Sequence, residues 1–109
     1  LGGSDRISSG AGNDCVIAGG GNDVIRSGPG NDRAFGGGGN DRLILGAGDD
    51  RGRGDAGKDV LKGQGGKDTL NGGGQNDRLD GGADSVPDRC LGGPGTDRAR
   101  RCSVSIGIP

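Results

Sequence analysis

Apolar side chains recur along this chain at a fixed interval. Ile7, Val16, Ile25, Ala34, Leu43, Leu61, Leu70, Leu79, Cys90 and Ala99 form one column, and Gly52 is its single gap. Two residues before each member stands an aspartate: Asp5, Asp14, Asp23, Asp32, Asp41, Asp50, Asp59, Asp68 and Asp77, then Asp88 and Asp97 after a slip of two. Two residues before the aspartate comes glycine, at Gly3, Gly12, Gly21, Gly30, Gly39, Gly48, Gly57, Gly66 and Gly95, and Asn precedes it at Asn13, Asn22, Asn31, Asn40 and Asn76. An interval of nine with a Gly/Asn/Asp-rich stretch in each unit predicts a polar turn followed by a three-residue strand whose middle side chain points inward.

One apolar residue per strand cannot be buried by its own unit, so successive units must stack. Two turns and two strands make an 18-residue coil, and the chain holds about six of them. At about 4.8 Å per coil the stack is about 29 Å long. The expected fold is all-β, a parallel β-roll solenoid with turns on both sides. Ile7, Ile25, Leu43, Leu61, Leu79 and Ala99 line one half of the core, and Val16, Ala34, Gly52, Leu70 and Cys90 the thinner other half.

The slip predicts a two-residue insertion within 81–87, a bulged turn that includes Pro87. Residues 1–100 form the roll. From residue 101 the register is lost, and Ser103 to Ile108 alternate small or polar with apolar, as a strand does. Residues 101–109 are read as a strand that covers the last coil or contacts another subunit.

Composition explains what must hold such a chain together. Only 27% of its residues are hydrophobic, with one Phe and no Trp, Tyr or Met, while 30 glycines raise the entropic cost of folding. Metal ions, disulfides or oligomerisation must supply what apolar burial does not. Cys15, Cys90 and Cys102 allow one bridge and a leftover thiol, or three reduced thiols. Cys90 and Cys102, 12 apart near the C-terminus, are the expected pair, which implies an oxidising compartment. No signal peptide and no apolar run long enough to span a membrane are present.

All 15 acidic residues are Asp, and His is absent, which removes the commonest zinc or iron ligand. Stacking puts Asp5, Asp23, Asp41, Asp59, Asp77 and Asp97 in one column and Asp14, Asp32, Asp50, Asp68 and Asp88 in another. Like charges about 5 Å apart repel, and a divalent cation between turns reverses that sign. Carboxylate and carbonyl oxygens are hard ligands that favour calcium.

Ala18 to Arg26, AGGGNDVIR, and Gly36 to Ile44, GGGGNDRLI, resemble the RTX nonapeptide G-G-x-G-x-D-x-U-x, and tandem units cover the chain from Leu1 to about Arg100. The resemblance implies a β-roll in which six residues of each unit bind Ca2+ and three form the strand. It implies metal roles for the eleven aspartates named above. It extends backbone carbonyl roles to Gly10, Gly12, Gly19, Gly21, Gly28, Gly30, Gly37, Gly39, Gly46 and Gly48. Members occur in secreted bacterial toxins, proteases, lipases and surface proteins, so the expected location is extracellular, at a bacterial-type cell surface.

The chain departs from the family pattern where Asp55 and Gln64 replace one turn glycine and Gln75 another, and where Lys58 and Lys67 bring positive charge beside the metal. Sites in the 54–76 stretch are therefore expected to be weak or empty, and stacking geometry sets nine sites as the ceiling. Arginine is a second departure. Arg6, Arg33, Arg42, Arg51, Arg78, Arg89 and Arg98 directly follow the repeat Asp and point outward. They are expected to pair with carboxylates such as Asp49, Asp80 and Asp84. The functional alternative is a cationic face for a polyanion such as a polysaccharide. Without aromatic platforms, specific nucleic-acid reading is not expected.

Several local matches lead nowhere. Gly52 to Lys58 fits GxxxxGK, but Asp59 stands where a phosphate loop needs Ser or Thr. Arg53, Gly54 and Asp55 form a tripeptide that chance supplies in so Gly/Asp/Arg-rich a chain. An EF-hand requires Glu, and collagen a period of three. Every carboxylate pair belongs to the repeating columns, so none is singled out for catalysis and no enzyme is expected. The expected function is a calcium-binding extracellular module whose folding depends on calcium. The alternative is a structural or adhesive surface protein that self-associates through its coil ends or binds a polyanion through arginine.

Overall fold

The computed structural model describes residues 3–83, 88–102 and 104–106. Twelve strands follow in chain order: β1 (Arg6–Ser8), β2 (Cys15–Ile17), β3 (Val24–Arg26), β4 (Arg33–Gly37), β5 (Arg42–Ile44), β6 (Arg51–Asp55), β7 (Val60–Lys62), β8 (Thr69–Asn71), β9 (Arg78–Asp80), β10 (Arg89–Leu91), β11 (Arg98–Arg100) and β12 (Val104–Ile106). Most have the expected three residues. β4 and β6 extend to five, because their pairing continues through Gly37 and Asp55 into the next turn.

Each turn carries the chain to the opposite sheet, so a strand can pair only with the strand one full coil away and running the same way. The result is two parallel six-stranded sheets, ordered β1-β3-β5-β7-β9-β11 and β12-β10-β8-β6-β4-β2. Ile7 lies opposite Ile25, Ile25 opposite Leu43, and Leu43 opposite Leu61. On the second sheet Val16, Ala34, Gly52 and Leu70 follow one another in the same way. The step lengthens by two where Thr69 meets Arg89 and Arg78 meets Arg98, which is the register effect of the insertion. The expected bulged turn at Pro87 itself lies outside the described residues. No helix long and apolar enough to cross a membrane occurs among the described residues.

Between the sheets Ile25, Leu43, Leu61, Leu70, Leu79 and Cys90 are fully buried. The gap at Gly52 is not a void. A Cβ on Gly52 would lie 3.2 Å from a Leu45 methyl and 3.4 Å from one of Leu61. Leu45 occupies a turn-start position held by Gly36, Gly54, Gly63 and Gly72 in other units, and from there it fills the space that Gly52 leaves. Burying such a side chain is worth about 1.5–3 kcal/mol.

At the C-terminal end Cys90 and Cys102 are joined as a disulfide, their α-carbons 6.0 Å apart. β12 pairs with β10 in parallel, Cys90 opposite Ser105, so this part of the 101–109 stretch extends the second sheet of its own chain. Cys15 is exposed and unbridged.

Candidate metal centre

Each turn combines an inward-facing aspartate with left-handed backbone. All ten glycines to which carbonyl roles were extended have positive φ, for example Gly37 at 89° and Gly39 at 100°. At Gly39 the requirement is also steric. A Cβ there would collide with the Gly21 carbonyl of the preceding coil. Turn carbonyls of one coil therefore lie directly against the α-carbons of the next.

The aspartates form two hydrogen-bonded ladders. Asp5 N–H donates to Asp23 Oδ1 at 2.8 Å, and Asp23, Asp41 and Asp59 repeat the contact with Asp41, Asp59 and Asp77, each at 2.8 Å. On the other side Asp14 N–H donates to Asp32 at 2.8 Å, Asp32 to Asp50 at 2.7 Å and Asp50 to Asp68 at 3.0 Å. The contact survives the insertion, from Asp68 to Asp88 and from Asp77 to Asp97, both 2.8 Å. One oxygen of each repeat carboxylate from Asp23 to Asp97 thus holds the preceding coil in register.

The other oxygen is stranded. Oδ2 of Asp5, Asp14, Asp23, Asp32, Asp41, Asp50, Asp59, Asp77 and Asp97 is buried and has no hydrogen-bond partner. Asp23, Asp32, Asp41, Asp50 and Asp59 are each only 1% exposed. A buried, unpaired carboxylate oxygen is costly, and such groups are normally paired or bound to a metal. Glycine makes the cradle. A Cβ on Gly36 would stand 2.5 Å from Asp41 Oδ2, and Gly54 and Gly72 would meet Asp59 and Asp77 in the same way.

Burial, followed by the charge of the neighbouring aspartates, pushes Asp41, Asp50 and Asp77 up to about 6 and Asp59 up to about 7. Among the described residues no three His, Cys, Asp or Glu side chains converge as a metal cage. Any ion must therefore take main-chain oxygens beside one or two carboxylates. Oxygen-only donors from backbone and carboxylate match the way calcium is held, so the residues present fit that ion.

The turns of the 54–76 stretch keep their shape despite substitution. Asp55, Gln64 and Gln75 hold φ of 72°, 72° and 71°. Sequence reading missed a second ladder on the outer side of the turns. Asn13 Oδ1 accepts from Asn31 N–H at 2.8 Å, Asn22 from Asn40 at 2.7 Å and Asn31 from Asp49 at 2.9 Å. The Asn column was visible in the sequence, but its partner lies 18 residues away. The ladder breaks where Lys58 and Lys67 donate to Asn40 and Asp49, since lysine has no side-chain oxygen for the next coil, and it resumes where Asn76 Oδ1 accepts from Thr96 N–H at 2.7 Å.

The arginines correct one expectation. Asp80 is held by Arg101 at 2.6 Å and approached by Arg100 at 3.9 Å, and Asp55 lies 3.5 Å from Arg53. Among the described residues no ion pair joins Asp49 or Asp80 to the arginines that follow the repeat aspartates. These arginines stand one residue into their strands on outer sheet faces, whereas the carboxylates they were expected to meet lie in turns or are already engaged. Asp84 lies outside the described residues.

No curated protein and no solved structure matches the chain significantly. The RTX calcium-binding nonapeptide repeat matches four times, over residues 1–25, 17–52, 26–61 and 53–85. With that span, and with an aspartate ladder and left-handed glycine turns recurring at each coil, this chain belongs to the RTX calcium-binding nonapeptide repeat family.

Proposed function

We propose that this chain is an extracellular, non-enzymatic calcium-binding module whose folding is coupled to calcium. The observation that carries the reading is the row of buried aspartate Oδ2 atoms without partners. Calcium, when bound, supplies a hard cation that carboxylate and carbonyl oxygens can share. The ligands would be the eleven repeat aspartates, Asp5 to Asp97, with carbonyls of the glycine pairs from Gly10 and Gly12 to Gly46 and Gly48. Stacking allows at most nine sites. The disulfide between Cys90 and Cys102 supports an oxidising compartment outside the cell.

The chain's own residues account for the coupling. In the unfolded chain the aspartates are hydrated and separate. Folding strips their water, stacks them and leaves Oδ2 of Asp23, Asp32, Asp41, Asp50 and Asp59 among others buried without a partner, so the folded state lacks something the unfolded state does not need. A ligand bound only by the folded state then stabilises it with the logarithm of its free concentration.

Circular dichroism during a calcium titration from excess chelator tests this. The expected result is loss of β signal in chelator and recovery near about 10⁻⁴ to 10⁻³ M calcium, the range of extracellular modules. Full β structure in chelator at pH 8 would overturn the reading. A second reading, a surface rod that self-associates through its coil ends, draws on β1 and β2 each being paired on one side only. Calcium-dependent oligomers that disappear when residues 103–109 are removed would favour it.

A further inference from the structure

The outer face of the first sheet carries charge in a pattern that neither the metal columns nor the core requires. Strand register aligns its outward residues in two rows. One row runs Arg6, Val24, Arg42, Val60, Arg78, Arg98. The other runs Ser8, Arg26, Ile44, Lys62, Asp80, Arg100 in the same register. Cations therefore alternate between rows from coil to coil: Arg6, Arg26, Arg42, Lys62, Arg78. The last coil carries one in each row.

All of these cationic side chains are exposed. The single carboxylate on the face, Asp80, is already engaged by Arg101. Two shallow grooves of about 790 and about 360 Å³ share Arg42 and run between the side chains. Setting aside the eleven repeat aspartates, only four carboxylates remain against 14 Lys and Arg. With the turn carboxylates neutralised, the remaining surface is strongly positive.

We propose that this face binds an extended acidic polysaccharide of the polyuronate type, lying along the roll axis. The zigzag presents one cation per coil, at about 4.8 Å, on alternate sides of a line. A uronate chain whose successive rings turn their carboxylates to opposite sides offers the complementary pattern, at about one ring per coil. Methyl groups of Val24, Ile44 and Val60 lie between the cations and suit the C–H faces of sugar rings. Duplex DNA places one charge per about 1.7 Å on a helical path and does not match a flat zigzag. Single strands need aromatic platforms, and the one aromatic residue, Phe35, lies on the opposite sheet. The charge balance rests on the calcium reading, whereas the zigzag rests on strand register alone.

The test uses the full chain in calcium and short polyuronate oligosaccharides, with calcium below the level at which the sugar alone associates. Arg42→Gln with Arg78→Gln is compared with Arg33→Gln with Arg89→Gln, the same charge change on the second sheet. The first pair should weaken binding about tenfold and the second less than about twofold. Circular dichroism of each variant confirms folding. If the first pair does not fold, Arg26→Gln with Lys62→Gln from the other row replaces it, with the same expected loss. Equal losses from both faces, no binding by the unaltered chain, or equal binding of a neutral oligosaccharide or a single-stranded oligonucleotide would overturn the proposal. Absent sugar binding beside an intact calcium-dependent β signal removes this surface alone. Sugar binding by a chain whose fold ignores calcium removes the calcium reading alone.

Discussion

The turns before residue 51 and those from 54 to 76 have the same backbone path and different chemistry. In the earlier set glycine supplies every left-handed residue, and from Asp14 to Asp50 Asn or Asp precedes the repeat aspartate. In the later set Asp55, Gln64 and Gln75 take up the left-handed conformation, at a cost on the order of 1 kcal/mol each. Lys58 and Lys67 stand where Asn or Asp stood. The inner turn-start position is varied early, with Ser9, Ala18, Ser27, Gly36 and Leu45, and glycine throughout later, at Gly54, Gly63 and Gly72. Coil shape is thus set by stacking and the aspartate ladder, which is continuous through both regions. What the substitutions alter is the set of oxygens and charges that each turn offers.

The largest effect that would sharpen this contrast comes from the inner position. Leu45→Ala should cost about 2–5 kcal/mol in calcium, because the space at Gly52 then opens into a cavity. Thermal unfolding measures it. A loss below about 1 kcal/mol would show that the early turns do not depend on this side chain.

Acid should separate the metal-free fold from the loaded one. Asp41, Asp50, Asp59 and Asp77 have folded values above their ordinary 3.8, chiefly through burial. The metal-free folded state then binds protons that the unfolded chain releases. Stability in chelator is therefore fullest below about pH 4 and declines as pH rises toward 6 to 7. In chelator more β circular dichroism should survive at pH 4.5 than at pH 8, where the metal-free fold is lost, and the reverse order would contradict the burial of these carboxylates.

The smallest effect belongs to the outer ladder. Lys58→Asn restores an acceptor for the Asn76 N–H one coil on, whereas Lys67→Asn only removes a cation, because the residue before Asp88 is Pro87, which has no N–H. The one added hydrogen bond is worth about 0.5–1.5 kcal/mol. The doubly substituted chain should melt higher and need less calcium to fold, as a calcium titration at fixed temperature would register. An unchanged midpoint would mean that lysine does not weaken these turns.

Much of this was legible in the sequence because a strict interval of nine converts directly into stacked columns. The apolar columns, the aspartate columns, the positive-φ glycines and the pairing of Cys90 with Cys102 all followed from register or proximity. Leu45 was not legible, since its position reads as turn until Gly52 is seen to leave space beside it. The division of labour between Oδ1 and Oδ2 was also hidden, because it depends on which oxygen reaches an N–H one coil away. The free arginines were misjudged for a related reason. Charge counts gave partners in number, but the strands placed the cations on faces while Asp49 lies in a turn and Asp80 is engaged by Arg101.

Anomalous diffraction from crystals grown in calcium tests the central claim most directly. The account predicts peaks between successive turns, beside Oδ2 of Asp23, Asp32 and Asp41, with turn carbonyls completing the coordination. Well-ordered turns with those oxygens bonded to water or protein and no anomalous signal beside them would contradict it.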